Sequence, residues 1–225
     1  MKILGLALSL CLVGTAVVHA QTTPPDAPQP QKPDQHKSIL STFSPPLSLA
    51  KDARPLTPGD KFELFAVNTV NPFEFVATAA WAGIEQADNT YPSWGQGAEG
   101  YGKRYGGVYA STATSNFFSY FMYPTILRQD PRYFRKETGG FGSRLGYAIS
   151  RVLVTRNDSG RSAPNVSLWL GAGSSAALGN LYYPADQQDA GHVLERMGIN
   201  LATVAGFNFA REFWPDVRHV FHHKK

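Results

Sequence analysis

Two predicted helices meet at the stretch Gln129–Phe134 (QDPRYF), where the most basic part of the chain begins. Residues 128–161 contain eight basic residues and three acidic ones, a net charge of +5, whereas the whole 225-residue chain carries +4. Seven of the eight basic residues are arginines, whose planar guanidinium groups suit bidentate pairing with carboxylates or phosphates. The sequence therefore predicts an elbow between two helices at this stretch, with anionic partners close to it.

The arginines around the elbow are the candidate binding residues. Arg144 and Arg151 are seven residues apart and so share one face of a predicted helix. The alternative is that carboxylates of the chain pair with these arginines in a structural network, and the sequence leaves both interpretations open. The predicted anion-binding set is Arg128, Arg132, Arg144, Arg151 and Arg156. Three further residues are predicted to fix the elbow: Asp130, Tyr133 and Asp158.

Capping residues predict where the helices begin and end. Asp60 is predicted to cap a first helix that ends near Val70, and Asn71 with Pro72 predicts the start of a second, which ends near Asp88. The remaining helices are predicted over about residues 101–127, 142–154, 165–183 and 190–213. The fold class predicted is all-α, a compact bundle of five or six helices.

Small residues recur at four-residue spacing in five of these helices, where they share one face. Glycine inside a helix costs about 1 kcal/mol relative to alanine, so its repeated use predicts helix faces that pack closely, as in membrane proteins. The stripes are Ala79-Gly83-Ala87, Gly102-Gly106-Ala110, Gly142-Gly146-Ser150, Gly171-Ser175-Gly179 and Gly198-Ala202-Gly206-Ala210. Four asparagines in the middle of the helices, Asn116, Asn180, Asn200 and Asn208, predict a hydrogen-bonded interior.

An outer-membrane β-barrel is the alternative fold, because glycine and aromatic residues are abundant and charged residues make up only 17% of the chain. Barrel strands alternate apolar and polar residues. The sequences Phe117-Phe118 and Leu168-Trp169-Leu170 break that alternation, which favours helices.

The chain divides into four predicted regions. Residues 1–20 are typical of a secretory signal peptide, with Lys2, an apolar run and a small residue, Ala20, before the cleavage site. Residues 21–58 hold nine of the sixteen prolines and predict a disordered linker. Residues 59–218 are the predicted helical domain, and residues 219–225 a basic tail. The protein is therefore expected to be exported, to the periplasm or to the outer membrane.

Composition excludes several classes of function. The single cysteine, Cys11, lies in the predicted signal peptide, so disulfides, thiol nucleophiles and cysteine-based zinc sites are not expected. No metal site and no cofactor is predicted, since neither a phosphate-binding loop nor a histidine-based triad is present. The isoelectric point near 9.2 is only mildly basic, and no nucleic-acid partner is predicted.

Several short blocks resemble a family of exported bacterial envelope proteins that has no assigned activity. They include residues 56–62 (LTPGDKF), 96–101 (QGAEGY), 129–134 (QDPRYF), 155–160 (TRNDSG), 180–184 (NLYYP) and 212–216 (EFWPD). The resemblance covers the predicted domain and not the linker. It implies one domain and an envelope location, and it implies no catalytic residue.

The sequence thus predicts an exported, non-enzymatic envelope protein that associates with a membrane and binds anionic groups, such as anionic lipid, through its arginines. The alternative function is a hydrolase of envelope lipid or glycan that uses Asp130 or Glu99 as an acid or base.

Overall fold

The structure, a computed structural model, describes residues 54–222, and the side chains of residues 54–216. The predicted signal peptide (residues 1–20), residues 21–53 of the predicted linker and residues 223–225 lie outside the described residues.

The first two helices begin at side-chain caps. Helix α1 covers Pro58–Thr69, and its N-cap is Thr57, whose hydroxyl accepts from the amide of Asp60 while the Asp60 carboxylate accepts from the Thr57 amide at 2.8 Å. The predicted cap, Asp60, is therefore not the N-cap but the N3 residue of a capping box. Helix α2 covers Pro72–Ala87 and begins at Asn71, as predicted, with the Asn71 side chain 2.7 Å from the amide of Phe73.

The longest element before the elbow is helix α3, which comprises Gly97–Asn116, a π-helical segment over Phe117–Met122 and a final α-helical turn over Tyr123–Ile126. Pro124 lacks the amide proton that would bond to the carbonyl of Tyr120, and the wider π turns accommodate that loss. The helix is continuous through Gly106 and Gly107.

The elbow leads into a small antiparallel sheet that the sequence did not predict. Its strands are β1 (Gln129–Asp130), β2 (Val154–Asn157) and β3 (Ser162–Pro164), in the order β1-β2-β3. The predicted helix over 142–154 is wrong at its end, because helix α4 covers Phe141–Ser150 and Val154 begins a strand. The turn between β2 and β3 lies at residues 158–161, where Gly160 has a φ of 80°.

The last two helices complete the bundle. Helix α5 covers Val166–Leu178 and is capped by Asn165, as predicted, although it ends five residues earlier than expected. Helix α6 covers Ala190–His222 and continues through Pro215, so its predicted end at Phe213 is wrong. Helix α3 packs against α1, α2 and α5, while α6 packs against α5 and α4.

Six helices and one small sheet make up residues 54–222, which confirms the predicted all-α bundle. The predicted close packing of small residues holds for helix α5, where a Cβ at Gly171 would collide with Ser119 and one at Gly179 would lie 2.9 Å from Arg196. It is wrong for the glycines of the other stripes, since a Cβ added to any of them would meet open space: Gly83, Gly102, Gly106, Gly142, Gly146, Gly198 and Gly206.

Among the described helices, none combines the length and the apolar content that crossing a bilayer requires.

Candidate functional site

The interior of the described domain is more polar than apolar. Fifteen polar or charged side chains are buried, against eight apolar ones, and the apolar ones are only leucine, alanine and tyrosine. The largest fully enclosed side chains include Arg104, Lys61 and Glu212. Water-soluble proteins rarely bury lysine, arginine or glutamate without pairing them. The bundle is therefore organised around polar groups.

Nine of the fifteen buried polar side chains line a central cavity of about 380 Å³, which falls in the size range of small-molecule sites. Three helices line it with polar residues at helical spacing. They are Glu74, Thr78 and Glu85 on α2; Ser111, Ser115 and Ser119 on α3; and Arg196, Asn200 and Arg211 on α6. Residues three, four or seven apart share one face of a helix, so each helix directs one polar face into the same space.

The α2 side of the cavity is acidic. Glu85 is only 8% exposed, and its Oε1 accepts a hydrogen bond from Trp81 Nε1 at 3.0 Å while its Oε2 has no hydrogen-bond partner. Burial raises the pKa of Glu85 to about 7, against the smaller opposing effects of the Trp81 bond and the charge of Arg104. Burial also raises the pKa of Glu74.

Aromatic rings pack together on the Glu85 side of the cavity, which Tyr91 and Tyr183 line. Tyr91, Trp94 and Tyr183 lie with neighbouring ring centroids 4.9–5.5 Å apart. Burial raises the pKa of Tyr183 to about 12, so its hydroxyl stays protonated. Arg196 lies over the Tyr183 ring and donates to the Gln187 carbonyl at 2.8 Å, which fixes its guanidinium group.

Arginines line the cavity on the side of the elbow. The Arg151 guanidinium group lies 4.4 Å from the Tyr147 ring centroid, and that of Arg156 lies 4.3 Å from the Phe134 ring centroid. Stacking of this kind holds a guanidinium group in place through cation–π attraction. From helix α6, Arg211 donates to the Tyr120 hydroxyl at 3.4 Å.

The structure separates the five predicted anion-binding arginines. Arg132, Arg151 and Arg156 line the cavity, whereas Arg128 is exposed and does not. Arg144 is also outside the cavity, and its guanidinium group bonds to Glu212 at 2.8 Å and to Asp216 at 2.6 Å. The five residues therefore do not form one surface cluster.

The three predicted elbow residues each make a defined contact. Asp130 is buried and forms a bidentate pair with Arg132, in which the shortest distance is 2.7 Å. The Tyr133 hydroxyl donates to Glu212 Oε2 at 2.8 Å, and Asp158 pairs with Lys61 at 2.9 Å across 97 residues of sequence.

Glu212 connects the elbow to helix α6. It is fully buried and accepts from Tyr133, from the Lys136 amide at 3.0 Å and from Arg144 Nε at 2.8 Å. Burial by itself raises the pKa of Glu212, but these donors, above all Arg144, outweigh that effect and lower it.

Comparison with known proteins gives no counterpart. No family model, curated protein or solved structure matches this chain.

The two residues predicted for a hydrolytic role lie in unsuitable places. Asp130 is held by Arg132 and does not line the cavity. Glu99 is 80% exposed and pairs with Lys103 at 2.6 Å, and that hydrogen bond and charge lower its pKa. A general acid at neutral pH needs a raised pKa and access to a substrate. The pKa of Glu99 is lowered, and Asp130 does not reach the cavity.

Sequence reasoning missed most of the cavity. Glu74, Thr78 and Glu85 repeat at intervals of four and seven residues, a pattern that marks one helix face and was available from the sequence. Of the four asparagines predicted to face a hydrogen-bonded interior, Asn116, Asn200 and Asn208 line the cavity. Asn180 does not, and its side chain donates to the Gln188 carbonyl at 2.8 Å.

Proposed function

We propose that this protein is an exported, non-enzymatic component of the bacterial cell envelope that associates with a membrane through the apolar exterior of its helices. The observation that carries the proposal is the distribution of polarity, with charged groups buried and large apolar side chains exposed. The predicted signal peptide and the resemblance to exported envelope proteins supply the location.

Large apolar side chains are exposed on the exterior of most helices. Examples that do not line the cavity are Val76 and Ile84 on α2, Ile149 on α4, and Leu194 on α6, which is 67% exposed. Burying an apolar side chain of this size stabilises a protein by about 1.5–3 kcal/mol. Each of these exposed side chains lacks a large part of that stabilisation in water. A lipid environment would recover it.

The same exteriors carry glycines with open space beside them. Gly198 and Gly206 lie on α6 in the register of the small-residue stripe, and Gly83 lies on α2 next to Ile84. Because glycine in a helix interior is unfavourable by itself, its use on faces without a protein neighbour favours packing against something outside the described chain. Small residues of this kind are used for close helix contacts in membranes.

Trp169 and Trp214 add to this pattern. Both are about 40% exposed, and the Trp169 indole N–H is satisfied by the Val152 carbonyl at 3.0 Å. Such side chains, apolar with one polar atom, are common at the boundary between a membrane and water. They support contact with a membrane.

Fractionation of cells that express the full chain tests the proposal. We expect the protein in the membrane fraction, resistant to extraction with 1 M salt (a condition that screens surface charge to roughly 3 Å) and released by detergent. Purified mature protein should also bind vesicles of neutral lipid, because the exterior side chains are apolar.

Two results would contradict the proposal. Recovery in the soluble fraction as a monomer would mean that the protein is stable with its apolar exterior exposed to water. Recovery there as a defined oligomer would mean that a second copy of the chain, rather than lipid, covers it.

A further inference from the structure

The central cavity carries an excess of positive charge. Its charged lining residues are five arginines (Arg132, Arg151, Arg156, Arg196 and Arg211) and two glutamates (Glu74 and Glu85). This gives the lining a formal charge of +3, of which Arg132 is paired with Asp130 outside the cavity. Burial raises the pKa of Glu85 to about 7, which weakens its negative charge near neutral pH. An anion would be drawn into such a space.

Arg151 and Arg156 contrast with three other arginines of this region. Arg132, Arg135 and Arg144 each pair with a carboxylate within 2.6–2.8 Å. Among the described residues, no carboxylate lies within ion-pair distance of Arg151 or Arg156. Both side chains are half-buried and line the cavity, so their charges are available to pair with an anion from outside the chain.

Both guanidinium groups are held in position for such an anion. Tyr147 supports Arg151 and Phe134 supports Arg156, and Arg151 Nη2 also donates to Ser150 Oγ at 3.2 Å. Arg151 Nε is buried with no hydrogen-bond partner among the described residues, and the same is true of Ser119 Oγ, which lines the same cavity. Buried donors without partners are uncommon in folded proteins, and a ligand with several acceptor atoms would satisfy both of these.

We propose that the central cavity binds a molecule that bears a phosphate group, with Arg151 and Arg156 as the residues that contact the phosphate. A dianionic phosphate with three acceptor oxygens matches two fixed guanidinium groups and a positive cavity better than a single carboxylate. The volume of about 380 Å³ accommodates a small phosphorylated molecule or the head group of a phospholipid. The proposal does not depend on membrane association.

Calorimetric titration of the purified mature protein tests the proposal. The probes are inorganic phosphate, glycerol 3-phosphate and dihexanoyl phosphatidic acid, with glycerol and acetate as controls. We expect binding of the phosphate compounds and none of the controls. Tighter binding of the short-chain lipid than of glycerol 3-phosphate would identify a lipid head group as the ligand, and equal binding would identify a soluble phosphate ester.

Three variants connect binding to the cavity. Arg151→Gln and Arg156→Gln should each weaken binding by about tenfold or more, the loss expected for one hydrogen-bonded charge. The matched control is Arg161→Gln, which removes the same charge from an exposed arginine outside the cavity. If Arg151→Gln fails to fold by circular dichroism, Arg151→Lys keeps the charge, loses the bidentate contact and should still bind more weakly than the wild type.

The proposal is overturned if the folded protein binds none of the phosphate probes. It is also overturned if Arg161→Gln weakens binding as much as the two cavity variants do, because the anion would then respond to the charge of the surface alone.

Discussion

Replacement of Glu212 by alanine tests the polar connection between the elbow and helix α6. The substitution removes the acceptor of the Tyr133 hydroxyl, the Lys136 amide and Arg144 Nε, all within 3.0 Å of a fully buried carboxylate. Removing one partner of a buried ion pair typically costs about 3–5 kcal/mol. We expect Glu212→Ala to lose that much of the free energy of unfolding, a large part of the stability of an ordinary domain.

Urea unfolding followed by far-ultraviolet circular dichroism measures this loss. The matched control is Asp216→Ala, because Asp216 pairs with Arg135 and Arg144 but is 46% exposed. Surface ion pairs contribute about 0–1 kcal/mol, so the control should change the free energy of unfolding by no more than that. A loss below 1 kcal/mol for Glu212→Ala, or equal losses for both variants, would refute the reasoning.

The pH dependence gives a second readout of the same carboxylate. The pKa of Glu212 is lowered in the folded state, so its stabilising contribution is present above the unfolded pKa of about 4.3 and is lost as the pH falls through the folded pKa. Glu212→Ala should therefore narrow the difference in stability between neutral and acid pH. An unchanged difference would mean that the carboxylate is not ionised in the folded protein.

Two other substitutions test helix packing and the acidic side of the cavity. Gly171→Ala places a methyl group against Ser119 and should lower the free energy of unfolding by about 1–3 kcal/mol. Gly206→Ala places its methyl group in open space and should raise the free energy of unfolding by up to about 1 kcal/mol. Thermal unfolding of both variants checks this, and equal effects of the two substitutions would contradict it. For Glu85, burial raises the pKa from its ordinary value of 4.5 to about 7, so the folded state keeps a proton that the unfolded state releases, and stability should fall by on the order of 3 kcal/mol as the pH rises from about 4.5 to 7. Glu85→Gln should remove that fall and be more stable than the wild type at pH 8; a wild-type fall that persists in Glu85→Gln would show that another group causes it.

Residues at the helix ends predicted most of the helices, whereas structure that depends on residues far apart in the sequence was not predicted. Helix α2 begins as predicted, because its N-cap residue, Asn71, and its first residue, Pro72, are adjacent in the sequence. Strand β1, in contrast, pairs only with β2, where Asp130 lies opposite Arg156, 26 residues later in the chain, and nothing local to Asp130 indicates a strand. A strand of two to four residues has too little sequence to show a pattern.

The same limit applied to the candidate site. Seven arginines close together in sequence suggested one anion-binding cluster, but Arg144 meets Glu212, which lies 68 residues away. Glycine spacing predicted close packing correctly in α5 and wrongly on α6, because the spacing fixes which face is small and tertiary structure fixes what that face meets. The polar spacing on α2 is visible in the sequence, but only the fold shows that this helix face and Arg151 line the same cavity.

Single-site spin labels test the central claim, a polar cavity inside helices with an apolar, membrane-facing exterior. The only cysteine, Cys11, lies in the predicted signal peptide, so a cysteine introduced into the mature chain is the single site for the label. Leu194→Cys reports on the exterior of α6, and Ser115→Cys reports on the cavity. In vesicles, we expect oxygen to reach the label at 194 more readily than the label at 115. We expect a water-soluble nickel chelate to reach the label at 115 more readily than the label at 194. Nickel access at 194 equal to or above that at 115 would contradict the claim.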